Sequence, residues 1–340
     1  MPCPLCKSSR EFLPVRITGQ DGHIHKYSGL YDGQQLSAWK VCGDCGFLHQ
    51  NPRPSIEALN AFYLNSEYHT KYETPPSVED YLEFGKWYYA EKTDYLLKAI
   101  GPDSLSSKKV FDIGFGHGGF LKQFADREWE VYGVEADKNH FAFAKNDLGL
   151  KGPGVQLGIL DRKTDIGTQV DVVISNHAFE HFSDLHEIME SVQKILKKGG
   201  YIFTVVPTPF SNRSRLSKKW MNASHYSMFG HHSLNHLMGQ YGFEEVHHTY
   251  RGWWKEIDEI WHVAQFTGKV FEANAFVEDP RKVQFYMNVI NPLRSAAYFP
   301  IFHGWAIRLG FFNKWKRRIR LLFSNPGLAF KKLTARVKAA

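Results

Sequence analysis

The chain has 340 residues, of which 43% are hydrophobic and 15% aromatic, so it is no minimal scaffold and has room for a core domain of about 150 to 200 residues with smaller appendages. No apolar run approaches the roughly 18 residues of a spanning helix, and the N-terminus lacks the charged-then-apolar order of a secretory signal, so a cytoplasmic location is expected. The net charge of +7 is uneven: thirteen Lys or Arg and no acid fall between Arg281 and Ala340, leaving −6 on the other 280 residues, so overall basicity does not make the body a nucleic-acid binder.

Residues 1–54 come first and read as a metal-held unit. All four cysteines lie in two C-x2-C pairs, Cys3/Cys6 and Cys42/Cys45, which without an export signal points to metal rather than disulfides. Four thiolates close a tetrahedral zinc site with no open position, so the ion is expected to be structural. Short stretches at Trp39–Val41 and Phe47–His49 suit ribbon strands, and Asn51-Pro52-Arg53-Pro54 closes the unit. Over residues 55–105 apolar side chains recur at helical spacing (Ile56, Leu59, Phe62, Tyr63, then Tyr81, Phe84, Tyr88, Leu96), broken at Pro75-Pro76, which predicts two helices that cap the domain beginning near residue 106.

Between residues 106 and 268 strands and helices alternate. Strands are predicted at Val110–Ile113, Val131–Val134, Val155–Leu160, Val170–Ser175, Tyr201–Val206 and Glu244–Thr249. Helices are predicted at Gly118–Asp126, at Leu185–Leu196 before Gly199-Gly200, and at Leu234–Tyr241 before Gly242. Such alternation gives an α/β fold with a mostly parallel sheet covered on both faces. Beyond Gly268 the pattern assigns no sheet topology.

The turn Asp112-Ile-Gly114-Phe-Gly116-His-Gly118-Gly119 sits between a strand and a helix. Gly114 and Gly116 permit a tight turn and close backbone approach, and Gly118 opens the helix. Glu135 ends the next strand nineteen residues after Gly116, where a carboxylate can accept two hydrogen bonds from a ribose diol. Both NAD and S-adenosylmethionine (SAM) use this geometry.

The series Gly114-x-Gly116-x-Gly118 preceded by Asp112 resembles the class I SAM-dependent methyltransferases. So does the run from Asp171 through Asn176-His177-Ala-Phe-Glu180-His181 to Leu196-Lys-Lys-Gly-Gly200 and Pro207. The resemblance covers roughly residues 108 to 250. It implies a Rossmann-like sheet that takes SAM, with Asp112 at its amino-acid end, Asn176 and His177 lining the pocket, and an acid after the third strand, for which Asp161 is nearest, at the adenine amine. The ribbon followed by Phe62-Tyr63 and Tyr68 is similar to bacterial enzymes that modify sugars and surface polysaccharides, in which those tyrosines lie over the SAM and acceptor sites. The resemblance therefore implies a saccharide or lipid-linked glycan acceptor.

The segment His225-Tyr-Ser-Met-Phe229 resembles the H-x-x-x-F loop of related sugar C-methyltransferases, whose loop carries a histidine base. Here their upstream histidine-glutamate pair is replaced by Ala223-Ser224, and their long C-terminal domain is missing, which favours oxygen as the acceptor. A hydroxyl is a poor nucleophile and needs a base with a pKa near 7, so His225 is the first candidate, with His181 beside it and His177 and His232 as rivals. The histidines at 231, 232, 236, 247 and 248 suggest a second metal, but no acidic partner stands at evident ligand spacing.

In residues 269–340 the sequence between Trp305 and Phe323 places Trp305, Leu309, Phe312, Ile319 and Phe323 on one helical face, with Lys314, Arg317, Arg318 and Arg320 elsewhere. That composition suits a helix lying in an anionic membrane interface; packing on the protein's own core and binding of RNA phosphates are the competing readings. Two other functions remain open on this sequence: a zinc-ribbon RNA methyltransferase, and a SAM-binding scaffold without turnover.

Overall fold

The computed structural model describes residues 1–15, 38–65, 77–101, 105, 107–152, 154–210, 221, 224–251, 259–271 and 278–290. The basic helix expected at Trp305–Phe323, together with Tyr68 and Ala223, lies outside them. Residues Met1–Asn288 form one compact unit and Val289–Ala340 a second.

The N-terminal unit is built from β1 (Phe12–Pro14), β2 (Ala38–Cys42) and β3 (Leu48–Asn51), paired antiparallel in that order. Its two C-x2-C turns converge, with Cys3 Sγ 3.7 Å from Cys45 Sγ and Cys6 Sγ 3.7 Å from Cys42 Sγ. A disulfide needs about 2.05 Å, whereas a tetrahedron with metal–sulfur bonds of about 2.3 Å has edges of about 3.8 Å, so the four thiols fit a zinc ion and not a cross-link. The ribbon sheet is not closed by its own residues alone. A fourth strand, β9 (Ser227–Met228), arrives from the loop far downstream and pairs Leu48 with Met228 and His49 with Ser227.

Two helices come next, α1 (Ile56–Leu64) and α2 (Val78–Ile100), as the periodicity predicts. Both begin at a serine whose side chain accepts an amide: Ser55 from Ala58, and Ser77 from Asp80. Gly101 ends α2 in the left-handed conformation at φ 62°, a C-terminal stop that glycine takes without a Cβ penalty.

The main sheet comprises β4 (Lys109–Ile113), β5 (Glu130–Glu135), β6 (Val155–Leu157), β7 (Val170–Asn176), β8 (Leu196–Pro207), β10 (Phe243–Arg251) and β11 (Glu259–Phe266). They lie in the order β10-β11-β8-β7-β4-β5-β6. The five strands from β8 to β6 are parallel, and β11 enters antiparallel between β8 and β10. Helices α3 (Gly119–Ala125), α4 (Lys138–Asn146), α5 (Leu185–Ile195) and α6 (His231–Gln240) connect them, and α7 (Pro280–Phe285) comes after the sheet. Parallel strands buried on both faces must be apolar throughout, and Val170, Val172, Val173 and Ile174 of β7 are all 0% exposed.

One boundary differs from expectation, β6 ending at Leu157 rather than Leu160, and α4 and β11 carry no prediction at all. β11 reads Glu-Ile-Trp-His-Val-Ala-Gln-Phe, with buried Glu259 and His262 among its apolar residues, so neither an alternating nor an all-apolar pattern marks it.

Candidate active site

A cavity of about 400 Å³ opens at the carboxyl ends of β4, β5 and β7, roofed by α1 and α2. That is where an open α/β sheet binds ligands, and the volume falls in the range of small-molecule sites, about 300 to 1,000 Å³. Its floor is the glycine turn, with Gly114 at φ 67° and Gly116 at φ 56° both lining it. A Cβ built on Gly116 would meet nothing within 4 Å, so the loop is bare on that side and admits a ligand against its backbone.

Glu135 lines the cavity and anchors the turn. Gly116 N donates to its Oε2 at 2.7 Å and Asp137 N to its Oε1 at 2.8 Å. Each carboxylate oxygen keeps a second lone pair for a ribose hydroxyl, so the same residue can shape the loop and hold a ligand. Asp112 lies beneath this floor, 1% exposed and not on the cavity wall; its Oδ1 has no hydrogen-bond partner. Burial first, and then the Glu135 charge, raise its pKa well above the usual carboxylate range.

Besides Asp112, two more residues expected at the cofactor do not line the cavity. Gly118, at φ 85°, does not line the cavity; a Cβ there would meet Leu150 Cδ1 at 2.6 Å and Ala144 Cβ at 3.0 Å, so it is a glycine because α4 and the loop after it pack against it. Its role is close packing, as for the third glycine of a nucleotide fingerprint. Asp161 is turned into its own loop, where its Oδ1 accepts from Lys163 N at 2.9 Å and Thr164 Oγ1 at 3.0 Å. Gly158, Ile159 and Leu160 reach the cavity in its place because the strand ends three residues early.

The far wall comes from the end of β7 and the turn after it. Asn176 and His177 line the cavity, as the family resemblance implies, and a buried network with no sequence signature holds them. Lys92 of α2, 0% exposed, donates to Tyr88 Oη at 2.6 Å and Asn176 Oδ1 at 2.7 Å and lies 3.5 Å from Glu259 Oε2. An ammonium can only donate, so the Asn176 oxygen faces it and the amide Nδ2 is the end left to a ligand. Glu259 also accepts from Trp261 Nε1 at 2.9 Å and stands 2.9 Å from His177 Nε2. His177 in turn places Nδ1 3.3 Å from Glu180 Oε1.

Alternating positive and negative groups make this burial tolerable. Burial pushes Lys92 down to about 8, with Glu259 opposing the shift. Burial also works against a charged His177, but Glu259 and Glu180 outweigh it and bring the imidazole up to about 9. A histidine with a raised native pKa contributes stability that is complete below its unfolded value of about 6.5 and lost as pH rises through about 9. Lys92, depressed, acts oppositely and only above about pH 8. Unfolding free energy is therefore expected to fall between pH 6.5 and 8 in the wild type, and that fall should be shallower in His177→Gln, where the part near pH 7 belongs to Glu278, whose carboxyl is raised to about 7 by burial. Urea titrations across the window check this, and an equal slope in both proteins would remove the charged histidine.

His181 and His225, from separate elements, meet at the cavity with their rings edge to face and centroids 4.6 Å apart. His181 Nδ1 lies 3.0 Å from the Ser224 carbonyl oxygen and 2.8 Å from Tyr63 Oη. A carbonyl only accepts, so Nδ1 carries the proton of the neutral ring and Nε2 is the basic nitrogen. Glu180 Oε1 is 3.9 Å from that Nε2, with the Glu180 side chain fully buried. Ala223-Ser224 lacks the carboxylate that usually accompanies such a histidine, and Glu180 supplies one from the neighbouring turn. Ligand atoms of Glu180, His181 and His225 all fall within 4.8 Å of one another, close enough to share a divalent cation. His232 of the rival candidates does not reach the cavity.

The ribbon holds this corner in place. Gln50 Nε2 donates to the His225 carbonyl at 2.6 Å, Gln50 N to the Tyr226 carbonyl at 2.9 Å, and Tyr226 N to the Glu180 carbonyl at 2.7 Å. Tyr63 of α1 and Phe84, Tyr88 and Tyr89 of α2 complete the roof, so both capping helices contribute to the site.

The chain is similar to known methyltransferases. Residues 81–248 match the family model of a methyltransferase domain. The ubiquinone biosynthesis O-methyltransferase of Proteus mirabilis is 29% identical over 121 residues, which cover 35% of this chain and 47% of that protein. The corresponding protein of Idiomarina loihiensis is 30% identical over 122 residues, covering 35% and 48%. The chain thus spans about half the length of the curated relatives it matches. A SAM-dependent methyltransferase structure from Archaeoglobus fulgidus aligns with a TM-score of 0.42 at 17% identity, covering 53% of this chain and 94% of that one.

Proposed function

We propose that this chain, which carries a methyltransferase domain over residues 81–248, transfers a methyl group from SAM to a hydroxyl of a saccharide or sugar-derived acceptor. The observation that carries methyl transfer is one cavity lined both by a bare glycine turn anchored on Glu135 and by a histidine pair backed by a buried carboxylate. When bound, SAM supplies an electrophilic sulfonium methyl. Gly114, Gly116, Glu135, Asn176 and His177 would hold it, and the unpartnered Asp112 oxygen beneath the turn fits a group that brings a positive charge nearby.

On the acceptor side, the hydroxyl gives its proton to the His181–His225 pair, with His181 Nε2 the atom whose tautomer suits the task. Glu180 stabilises the imidazolium that results, and the aromatic roof of Tyr63, Phe84, Tyr88 and Tyr89 excludes water and offers flat faces to a sugar ring. Oxygen as acceptor is consistent with the relatives named as O-methyltransferases. The direct test is incubation with methyl-labelled SAM and fractionated glycans. Label in a saccharide fraction supports the reading; label in RNA alone, or SAM binding with no S-adenosylhomocysteine formed on any fraction, would replace it.

The four cysteines are proposed to hold one structural zinc ion that keeps β3 in register with β9, and so keeps His225 at the cavity. Cys45→Ser is expected to lose that zinc by elemental analysis and to lower the melting temperature by more than about 5 °C, the order expected when a closed metal site opens. A metal-free Cys45→Ser protein that melts like the wild type would refute the structural role. No helix among the described residues is long and apolar enough to cross a membrane. The thirteen cationic residues of 281–340 are proposed to bring the enzyme to an anionic membrane surface, and co-flotation with phosphatidylglycerol vesicles that is lost on deleting residues 291–340 would support this.

A further inference from the structure

We infer that a second metal site, for a first-row divalent ion such as zinc, lies away from the cavity where α6 meets the β10–β11 pair, with His231, Glu245 and His248 as its ligands. Their ligand atoms fall within 4.8 Å of one another. Glu245 stands at the centre: its Oε2 is 2.6 Å from His231 Nε2, and its Oε1 is 2.8 Å from His248 Nδ1. The two imidazole rings stack with centroids 3.8 Å apart, presenting both nitrogens to the one carboxylate. All three side chains are between 24% and 30% exposed, open enough for an ion to enter and enclosed enough to keep their geometry.

Counting protons around the carboxylate gives the stronger reason. Buried His262 Nε2 lies 3.2 Å from Glu245 Oε2 and 2.6 Å from Asn235 Oδ1, and Asn235 Nδ2 lies 2.9 Å from His231 Nε2. If His262 donates to the Asn235 oxygen, the Asn235 amide donates to His231 Nε2, which then faces the Glu245 carboxylate at 2.6 Å with a lone pair and no proton between them. If the amide is turned over, His231 can donate, but His262 Nε2 must accept and faces the same carboxylate unprotonated. In either orientation one nitrogen directed at Glu245 lacks a proton. A cation bound by His231 Nε2, Glu245 and His248 Nδ1 resolves the first arrangement by taking the His231 lone pair in place of the Asn235 amide hydrogen, while His262 Nε2 still donates to Asn235 Oδ1 behind the ligands.

Two imidazoles and one carboxylate suit zinc and its first-row neighbours better than magnesium or calcium, which prefer all-oxygen shells. The site would pin the first turn of α6 to β10. That turn begins six residues after His225.

The test uses the full chain, loaded with zinc and dialysed to constant metal content, compared with His248→Ala and, independently, His231→Ala. Each variant is expected to hold one zinc fewer per chain than the wild type, whatever the cysteines hold, because Cys3, Cys6, Cys42 and Cys45 are unchanged. Cobalt titrated into the zinc-free site should also give a visible absorption band that both variants lack. Equal zinc content in the wild type and both variants would overturn the site.

Discussion

Glu135→Ala is expected to weaken SAM binding by about 100-fold or more. The substitution removes the ribose acceptor and also both amide bonds that fix the glycine turn, to Gly116 N at 2.7 Å and Asp137 N at 2.8 Å. Hydrogen bonds to a charged group contribute roughly 1.5 to 3 kcal/mol each, so losing the two loop bonds alone amounts to about 3 kcal/mol, near a 100-fold change in Kd. Glu135→Gln keeps one carbonyl oxygen as acceptor but turns an NH2 toward the other amide, and should fall between the two. Calorimetric titration with SAM measures all three proteins, and unfolding in urea shows whether the fold survives. An Ala variant that binds SAM as the wild type does would take Glu135 out of the site.

The second large effect is expected at the histidine pair. His225→Ala should lower kcat by about 10² to 10⁴, the range of a lost general base or its immediate support, while SAM affinity changes less than about threefold. His181→Ala should match it, and the double variant should be little worse than either, because residues acting as one unit are not additive. Gln50→Leu makes a finer distinction, since Gln50 meets the site through the His225 carbonyl and the Tyr226 strand contact. A kcat loss of about tenfold there, with SAM binding unchanged, would show that the ribbon positions the catalytic corner. Full activity in His225→Ala would move the base elsewhere.

The network of Lys92, Glu259, His177 and Glu180 shows where sequence reading stops. His177 was recognisable from its motif, and Glu180 stood four residues from Asn176 in that motif, so proximity alone could have raised it as a candidate. Lys92 and Glu259 could not have been found in that way. One sits in a helix of mixed polarity, the other on a strand with no readable period, and they meet only because β11 inserts beside β8. Glu245 is similar: three histidines converge on it from α6, β10 and β11, and their spacing in sequence shows no ligand set.

Local chemistry was enough for the features set by neighbours along the chain. The C-x2-C turns, the strand–glycine turn–helix, the acid ending β5 and the two helices before the sheet all depend on nearby residues, and each is found near its expected position. Tertiary structure decided whatever depends on distant segments meeting. It turned Asp161 into its own loop, made Gly118 a packing glycine, placed Glu180 behind His181, and brought the strand after His225 onto the ribbon. Strand insertion and cross-sheet pairing set those contacts, and neither leaves a period or a spacing in the sequence. The glycine turn and the cysteines could therefore be located from the sequence, while the geometry at the acceptor depended on how β9 and β11 close the sheets.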